Sequence, residues 1–435
     1  MIKTINITGL FGRFNYSIDT MPDGITIITG PNGFGKSTIL QIINALSTGD
    51  LAYLLKLEFK KIVVLFNNTK STTIEKNNNT ISIDGTDFRL TKDLYESYLQ
   101  FKQRPWIIET ADGYFDRRSD ENFTEAELFR QFMAYNDDWI TINRVSNKSP
   151  KNAHSSLKSI TRKLDWIKQQ CGDIGVISDQ RLLKKKRSAR DDQQVIDVIS
   201  ELPGRLKAQI SHVYNQYSDT ATSLDSTYPK RLFTAKDDIK DQEEYEHYLN
   251  EANRKFSKLC QYNLVDMTII DQKEYNAKHA TALKIYFDDF AEKYTVFEVL
   301  ISKLDLFTRI INTRLRFKKI IISREKGFCI VDIDNPRKEL NLSQLSSGEK
   351  QEIVLFYELI FGNKEKRLLL IDEPEISLHI AWQKHFLDDL LEVAKYTNIQ
   401  AIVATHSPQI VSNHWDIQID LGELYAEQLN KNQPQ

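Results

Sequence analysis

The sequence predicts an α/β domain split in two by a mainly helical insertion. Three observations lead there. Both ends of the chain carry strand-like patterning, the middle carries helical spacing, and a glycine-rich loop near the N-terminus lies between a strand and a helix. At 435 residues the chain has material for two or three domains and a full core.

Taken in order, Ile2-Lys3-Thr4-Ile5-Asn6-Ile7 alternates with period two, as do parts of Phe14–Ile18. Gly24–Thr29 is a short β-branched run, and Ser37–Leu46 changes to helical spacing. Lys61–Phe66 and Thr72–Ile83 read as further strands, the latter folding back across Lys76-Asn77-Asn78-Asn79. Residues 97–175 are mixed, with Trp106, Trp139 and Trp166 and no motif. From 190 to 312 the pattern is helical. Val195, Val198, Ile199, Leu202, Leu206, Ile210, Val213 and Tyr217 recur at steps of three and four, and Pro203-Gly204 is expected to kink or break that helix. Tyr245–Leu259 and Leu283–Ile311 carry two further stripes, packing faces of a short helical arm. Strand patterning returns in a hairpin, Phe317–Ser323 with Gly327–Ile333. A helix over Ser347–Phe361 and buried-type strands at Arg367–Ile371 and Gln400–Ala404 follow. The expected division is 1–183 and 316–435 as two halves of one domain, with 184–315 as the insertion.

Composition narrows the function. Lys and Arg number 58 against 60 Asp and Glu, a net charge of −2, so bulk charge cannot drive nucleic-acid binding. No apolar run approaches the roughly 18 residues that span a bilayer, and the N-terminus lacks a signal-peptide layout. Cys171, Cys260 and Cys329 form no Cys-x-x-Cys pair. A cytoplasmic protein without disulfides or structural zinc is expected.

The chemistry concentrates in a few segments. Gly30-Pro31-Asn32-Gly33-Phe34-Gly35-Lys36-Ser37-Thr38 matches G-x-x-x-x-G-K-[ST]. Such a loop needs glycines so that backbone N–H groups can turn onto a polyphosphate, and the following helix aims its positive dipole end at the same anion. Lys36 reaches the β- and γ-phosphates and Ser37 ligates Mg²⁺; Gly30, Asn32, Gly33, Gly35 and Thr38 complete the ATP-binding set. Leu368-Leu369-Leu370-Ile371-Asp372-Glu373 is an apolar strand ending in two carboxylates. Asp372 is placed to hold the Mg²⁺ shell and Glu373 to polarise the attacking water. Leu345-Ser346-Ser347-Gly348-Glu349 reads equally as an ordinary helix N-cap and as an anion site for a γ-phosphate.

In order and relative position these segments resemble those of ATP-binding-cassette ATPases. Leu345–Glu349 resembles the signature, with Ser347 where the consensus has glycine. Asp372-Glu373 resembles the Walker B pair, Ser377-Leu378-His379 the D-loop, and Thr405-His406-Ser407-Pro408 the switch-histidine segment. Ile177–Leu182 resembles the Q-loop strand, which makes Gln180 a ligand of Mg²⁺ and water; an ordinary surface Gln-Arg stays open. The resemblance implies a cassette-type head, a mixed sheet flanked by helices with an antiparallel β subdomain. It also implies two ATPs sandwiched between two heads, with Ser346, Gly348 and Glu349 acting on the partner's nucleotide and His406 contacting the γ-phosphate.

Within that family, Lys36 and Ser346 lie too far apart for a compact transporter cassette, and the insertion is too short for a chromosome-organising arm. Glu373–His379, Glu-Pro-Glu-Ile-Ser-Leu-His, matches overcoming-lysogenization-defect nucleases, but the stretch after Pro408 leaves no room for their nuclease domain. What remains resembles the ATPase subunits of two-component anti-phage systems (PARIS, Septu and retron-associated). The resemblance implies a head dimer, often built into hexamers, that senses a phage protein and controls a nuclease-like effector. The basic residues Arg181, Lys184, Lys185, Lys186, Arg187 and Arg190 read as a solvated loop or as a DNA contact. The rival reading is a DNA-binding repair ATPase without a toxic partner.

Overall fold

The computed structural model describes the chain apart from residues 22–23, 78–79, 90–91, 111–112, 136–161, 178–182, 188–192, 236, 266–273, 363–365, 398 and 432–435. Two compact units emerge: Met1–Val195 with Asn363–Gln435, and Ile196–Gly362.

The first unit is α/β. Phe14–Asp19, Ile2–Leu10, Lys61–Phe66, Ser71–Asn77, Thr80–Ile83 and Thr86–Arg89 form, in that order, an antiparallel sheet. The alternation read from sequence holds, with Ile5, Ile7, Ile62 and Val64 turned inward. A second sheet runs Asp173–Ile177, Lys366–Asp372, Gln400–Ala404, Ile25–Thr29, Gln418–Asp420, every neighbouring pair parallel. Its central strand Gln400–Ala404 and the strand Ile25–Thr29 are buried along their whole length, the pattern of a sheet covered on both faces. The helix Lys36–Thr48 buries Ile39, Ile42, Ile43 and Leu46 in one core with Ile5, Ile7, Leu370 and Ile402. Each such side chain contributes roughly 2 kcal/mol, which fixes the start of this helix against both sheets. Lys184–Arg187 lie on the strand Leu183–Arg187, paired with Gln193–Asp197, where a loop was expected; Arg181 and Arg190 fall outside the described residues.

The second unit holds three long helices among its described residues, Val198–Thr234, Gln242–Gln261 and Ala280–Asn312. It also holds the expected hairpin, Lys318–Ser323 with Gly327–Asp332, and the helix Ser347–Phe361. In this unit Phe307 of the third helix meets the rings of Phe328, Tyr357 and Phe361. Arg205 of the first helix forms an ion pair with Glu358.

Of the kink or break expected at Pro203-Gly204, the break is absent: the helix runs through Pro203 and Pro229. Pro203 forfeits one hydrogen bond near the helix start, at a cost of about 3 kcal/mol. Buried Val198, Ile199, Leu202, Leu206 and Ile210 outweigh it. The Pro203 carbonyl is also a packing surface. A Cβ on Gly327 would stand 2.0 Å from it, at a backbone φ of +74°. Gly327→Ala is therefore expected to destabilise this unit by roughly 3 kcal/mol, read as a lower denaturant midpoint at unchanged slope; a midpoint equal to wild type would refute the contact.

No helix among the described residues is long and apolar enough to cross a membrane.

Candidate functional site

The parallel register assembles the site. Asp372 pairs with Ala404, and Ala404 with Ile28. The residues that follow, Glu373, Thr405 and Thr29, therefore emerge together at the carboxyl edge of the sheet, where ligands bind in open α/β folds.

The glycine-rich loop leaves that edge after Thr29. Gly35 closes it as the N-cap of the helix Lys36–Thr48, at φ 90° and ψ 20°. This is left-handed space, and a Cβ there would stand 3.0 Å from Leu10. Among the described residues no side chain caps this helix, and no acidic residue lies in its first turn. Its leading N–H groups and dipole are thus open to an anion. Lys36 is buried, its Nζ donating to the Gly30 carbonyl at 2.8 Å and the Pro31 carbonyl at 3.4 Å. The ammonium is thereby held across the mouth of the loop. Ser37 donates to Asp372 Oδ1 at 3.0 Å, joining the loop to the acidic strand end. Asn32 and Gly33 are exposed at the tip, and Thr38 is half-buried. Gly30, Asn32, His406 and Trp415 border a cavity of about 450 Å³.

Outer residues brace the loop. Tyr16 donates to the Phe34 carbonyl at 2.9 Å, and burial pushes its phenol pKa upward, which keeps the donor protonated. Phe14, Phe34 and Tyr425 pack ring against ring beside it. Asp420 accepts from Thr29 Oγ1 at 2.9 Å and from the N–H groups of Gly422 and Glu423, so one carboxylate caps the C-terminal helix and pins the loop strand.

Glu373 adopts φ 42° and ψ 58°, with its N–H bonded to the Ala404 carbonyl at 2.9 Å. A left-handed, non-glycine residue directly before a proline is strained, and such strain gathers at functional sites. Its Oε1 stands 3.9 Å from His406 Nδ1. A nearer carboxylate belongs to Glu375. Its Oε1 accepts from Thr405 Oγ1 at 2.7 Å and His406 N at 2.9 Å, and lies 3.0 Å from His406 Nδ1. Gln383 spans the same two segments: Nε2 donates to the carbonyls of Glu375 and Leu378, and Oε1 accepts from Ser407 Oγ at 3.0 Å.

The structure thus brings together Gly30, Asn32, Gly33, Gly35, Lys36, Ser37, Thr38, Asp372, Glu373 and His406 in the first unit. Gln180 lies outside the described residues. Ser346, Gly348 and Glu349 belong to the second unit. There the N-cap reading holds: Ser346 Oγ accepts from Glu349 N, and Glu349 Oε2 from Ser346 N, a full capping box. Ser346 is exposed. Burial alone would raise the Glu349 pKa, but hydrogen bonds from Lys318 and Ser346 hold it below the usual carboxylate value. Glu349 therefore keeps its charge, and the cap, at neutral pH.

Sequence reasoning missed Tyr16, Asp420, Glu375 and Gln383. Only Glu375 left a signal, the second carboxylate of Glu-Pro-Glu. Among the described residues no group of three or more His, Cys, Asp and Glu side chains forms a metal cage.

Residues 1–411 match the family described as AAA ATPase domain. Over 101 residues the chain is 31% identical to the oligopeptide transport ATP-binding protein OppD of Lactococcus lactis subsp. cremoris (strain SK11), covering 23% of this chain and 28% of that protein. The protein of the same name from subsp. lactis (strain IL1403) matches equally. The chain thus spans under a third of these relatives' length. Among solved structures it is similar to the Smc head domain from Pyrococcus furiosus bound to the C-terminal domain of ScpA. That match has 13% identity, 94% of this chain, 90% of that chain and a TM-score of 0.38. The SMC head domain from Thermotoga maritima matches at 14% identity, 95% and 92% coverage and a TM-score of 0.35.

Proposed function

The chain belongs to the AAA ATPase domain family, and from that premise we propose that it is an ATPase that hydrolyses ATP with Mg²⁺ between two copies of itself and thereby controls a partner effector. The observation that carries the hydrolytic part is the meeting of Ser37, Asp372, Glu373 and His406 at one sheet edge. Backbone N–H groups at the start of the helix and the Lys36 ammonium bind and orient the phosphates. The Ser37 hydroxyl and the Asp372 carboxylate, 3.0 Å apart, are a hard oxygen pair that would hold Mg²⁺. Held by these two side chains, Mg²⁺ would supply positive charge against the phosphates. Glu373 accepts a hydrogen bond from the attacking water and His406 contacts the γ-phosphate. The exposed Ser346 hydroxyl and Gly348, with Glu349 fixing the cap, meet the nucleotide of the second copy. By the sequence resemblance, Gln180 would contribute a further oxygen to the metal and the water.

The cellular role rests on the sequence resemblance: a cytosolic sensor in anti-phage defence, a head dimer or trimer of dimers that restrains a nuclease until a phage protein arrives. The alternative is a DNA-binding repair ATPase, which the lysines on the strand Leu183–Arg187 keep in view. Expression with the native neighbouring genes, followed by native mass of the tagged protein with and without ATP, decides between them. An ATP-stabilised oligomer carrying a nuclease-like subunit is expected. A protein that purifies alone and hydrolyses ATP faster with added DNA would establish the repair reading instead.

A further inference from the structure

We propose that Glu375 is a positioning residue for His406: its buried carboxylate holds the imidazole by Nδ1, leaves Nε2 as the ring nitrogen open to a ligand, and keeps the ring off Glu373. The inference rests on reading His406 as the γ-phosphate contact.

Three groups converge on one oxygen. Glu375 Oε1 receives the Thr405 hydroxyl at 2.7 Å and the His406 N–H at 2.9 Å, with His406 Nδ1 at 3.0 Å. The side chain is 6% exposed. Its other oxygen, Oε2, is buried with no hydrogen-bond partner among the described residues. Burying a carboxylate with one oxygen unmatched is a poor way to stabilise a fold. The Thr405 and main-chain donors would be served as well by the neutral amide oxygen of a glutamine. The ring is the one neighbour that gains from the charge, because a carboxylate at Nδ1 selects the Nδ1–H tautomer.

The geometry is tightly set. The register Asp372 to Ala404 fixes the two segments side by side, and Gln383 bonds both the Glu375 carbonyl and the Ser407 hydroxyl. Glu373, the other carboxylate near the ring, stands 3.9 Å from Nδ1, beyond hydrogen-bond reach. Two carboxylates face one imidazole nitrogen. Because the buried one holds it, the strained, more exposed Glu373 is left to meet water.

The test compares the full-length protein with Glu375→Gln and His406→Ala. With ¹⁵N-labelled histidine, the ring signals of His406, assigned by their loss in His406→Ala, are expected to report the Nδ1–H tautomer in wild type. In Glu375→Gln, whose neutral amide oxygen holds Nδ1–H less strongly than a carboxylate does, the Nε2–H form should gain population. Turnover by Glu375→Gln should fall about ten- to a hundredfold, with ATP affinity within about twofold of wild type and unchanged thermal unfolding, a split that loss of fold does not produce. An unchanged tautomer in Glu375→Gln overturns the proposal, as does wild-type turnover in Glu375→Gln while His406→Ala is slow. If His406→Ala turns over normally but the tautomer shifts in Glu375→Gln, the positioning stands and the γ-phosphate role of His406 fails.

Discussion

Lys36→Ala is expected to abolish measurable ATP binding, raising the dissociation constant at least about a hundredfold, or roughly 2.7 kcal/mol. The size follows from the geometry. The ammonium is buried inside the loop, 2.8 Å from the Gly30 carbonyl, and no second cation among the loop residues Gly30–Thr38 can replace it. Each charge-assisted hydrogen bond to a phosphate contributes about 1.5–3 kcal/mol, and more than one is lost. The folded state loses only two contacts to loop carbonyls, so the variant should unfold within a few degrees of wild type. Calorimetric titration with ATP checks the first point and a thermal scan the second. Affinity within a few-fold of wild type would remove Lys36 from the phosphate site.

Glu373→Gln is expected to keep ATP binding and lose turnover by about 10²- to 10⁴-fold. The substitution preserves shape and tolerates the same left-handed backbone about as well. It removes the carboxylate proposed to polarise water and leaves the Ser37–Asp372 pair untouched. Bound ATP should then persist, and the ATP-dependent dimer with it. Single-turnover hydrolysis and native mass in ATP read the two effects separately. Normal hydrolysis would sink the assignment of Glu373, and slow hydrolysis without a dimer would leave the chemistry in place while refuting the sandwich.

These expectations were legible because the residues concerned sit at strand ends. A continuous apolar run followed by Asp372-Glu373, and a β-branched run followed by Gly30, announce parallel strands, and parallel strands deliver their carboxyl ends to one edge. Glu375 was not legible as a partner of His406, since the contact joins residues 31 apart in sequence. Ser346 was ambiguous for a sound reason: the hydroxyl and helix N-terminus that would bind an anion are the same groups that cap a helix, and the capping box uses them so. Pro203 misled because a missing donor near a helix start is cheap beside five buried side chains. The hairpin over 318–332 was read correctly as strands, but period-two alternation gives a face and not a neighbour. Its packing with Phe307 depends on a helix whose orientation the pattern does not carry.

The bond between Ser37 and Asp372 spans 335 positions of sequence. At synthesis rates of roughly 5–20 residues per second, about a quarter of a minute to a minute separates the two residues on the ribosome. The contiguous unit 196–362 is complete before the strand Lys366–Asp372 has been made. Throughout that interval the nascent chain carries a nucleotide loop but no acidic strand beside it. If the proposed site is right, a chain truncated before Lys366–Asp372 should be inactive.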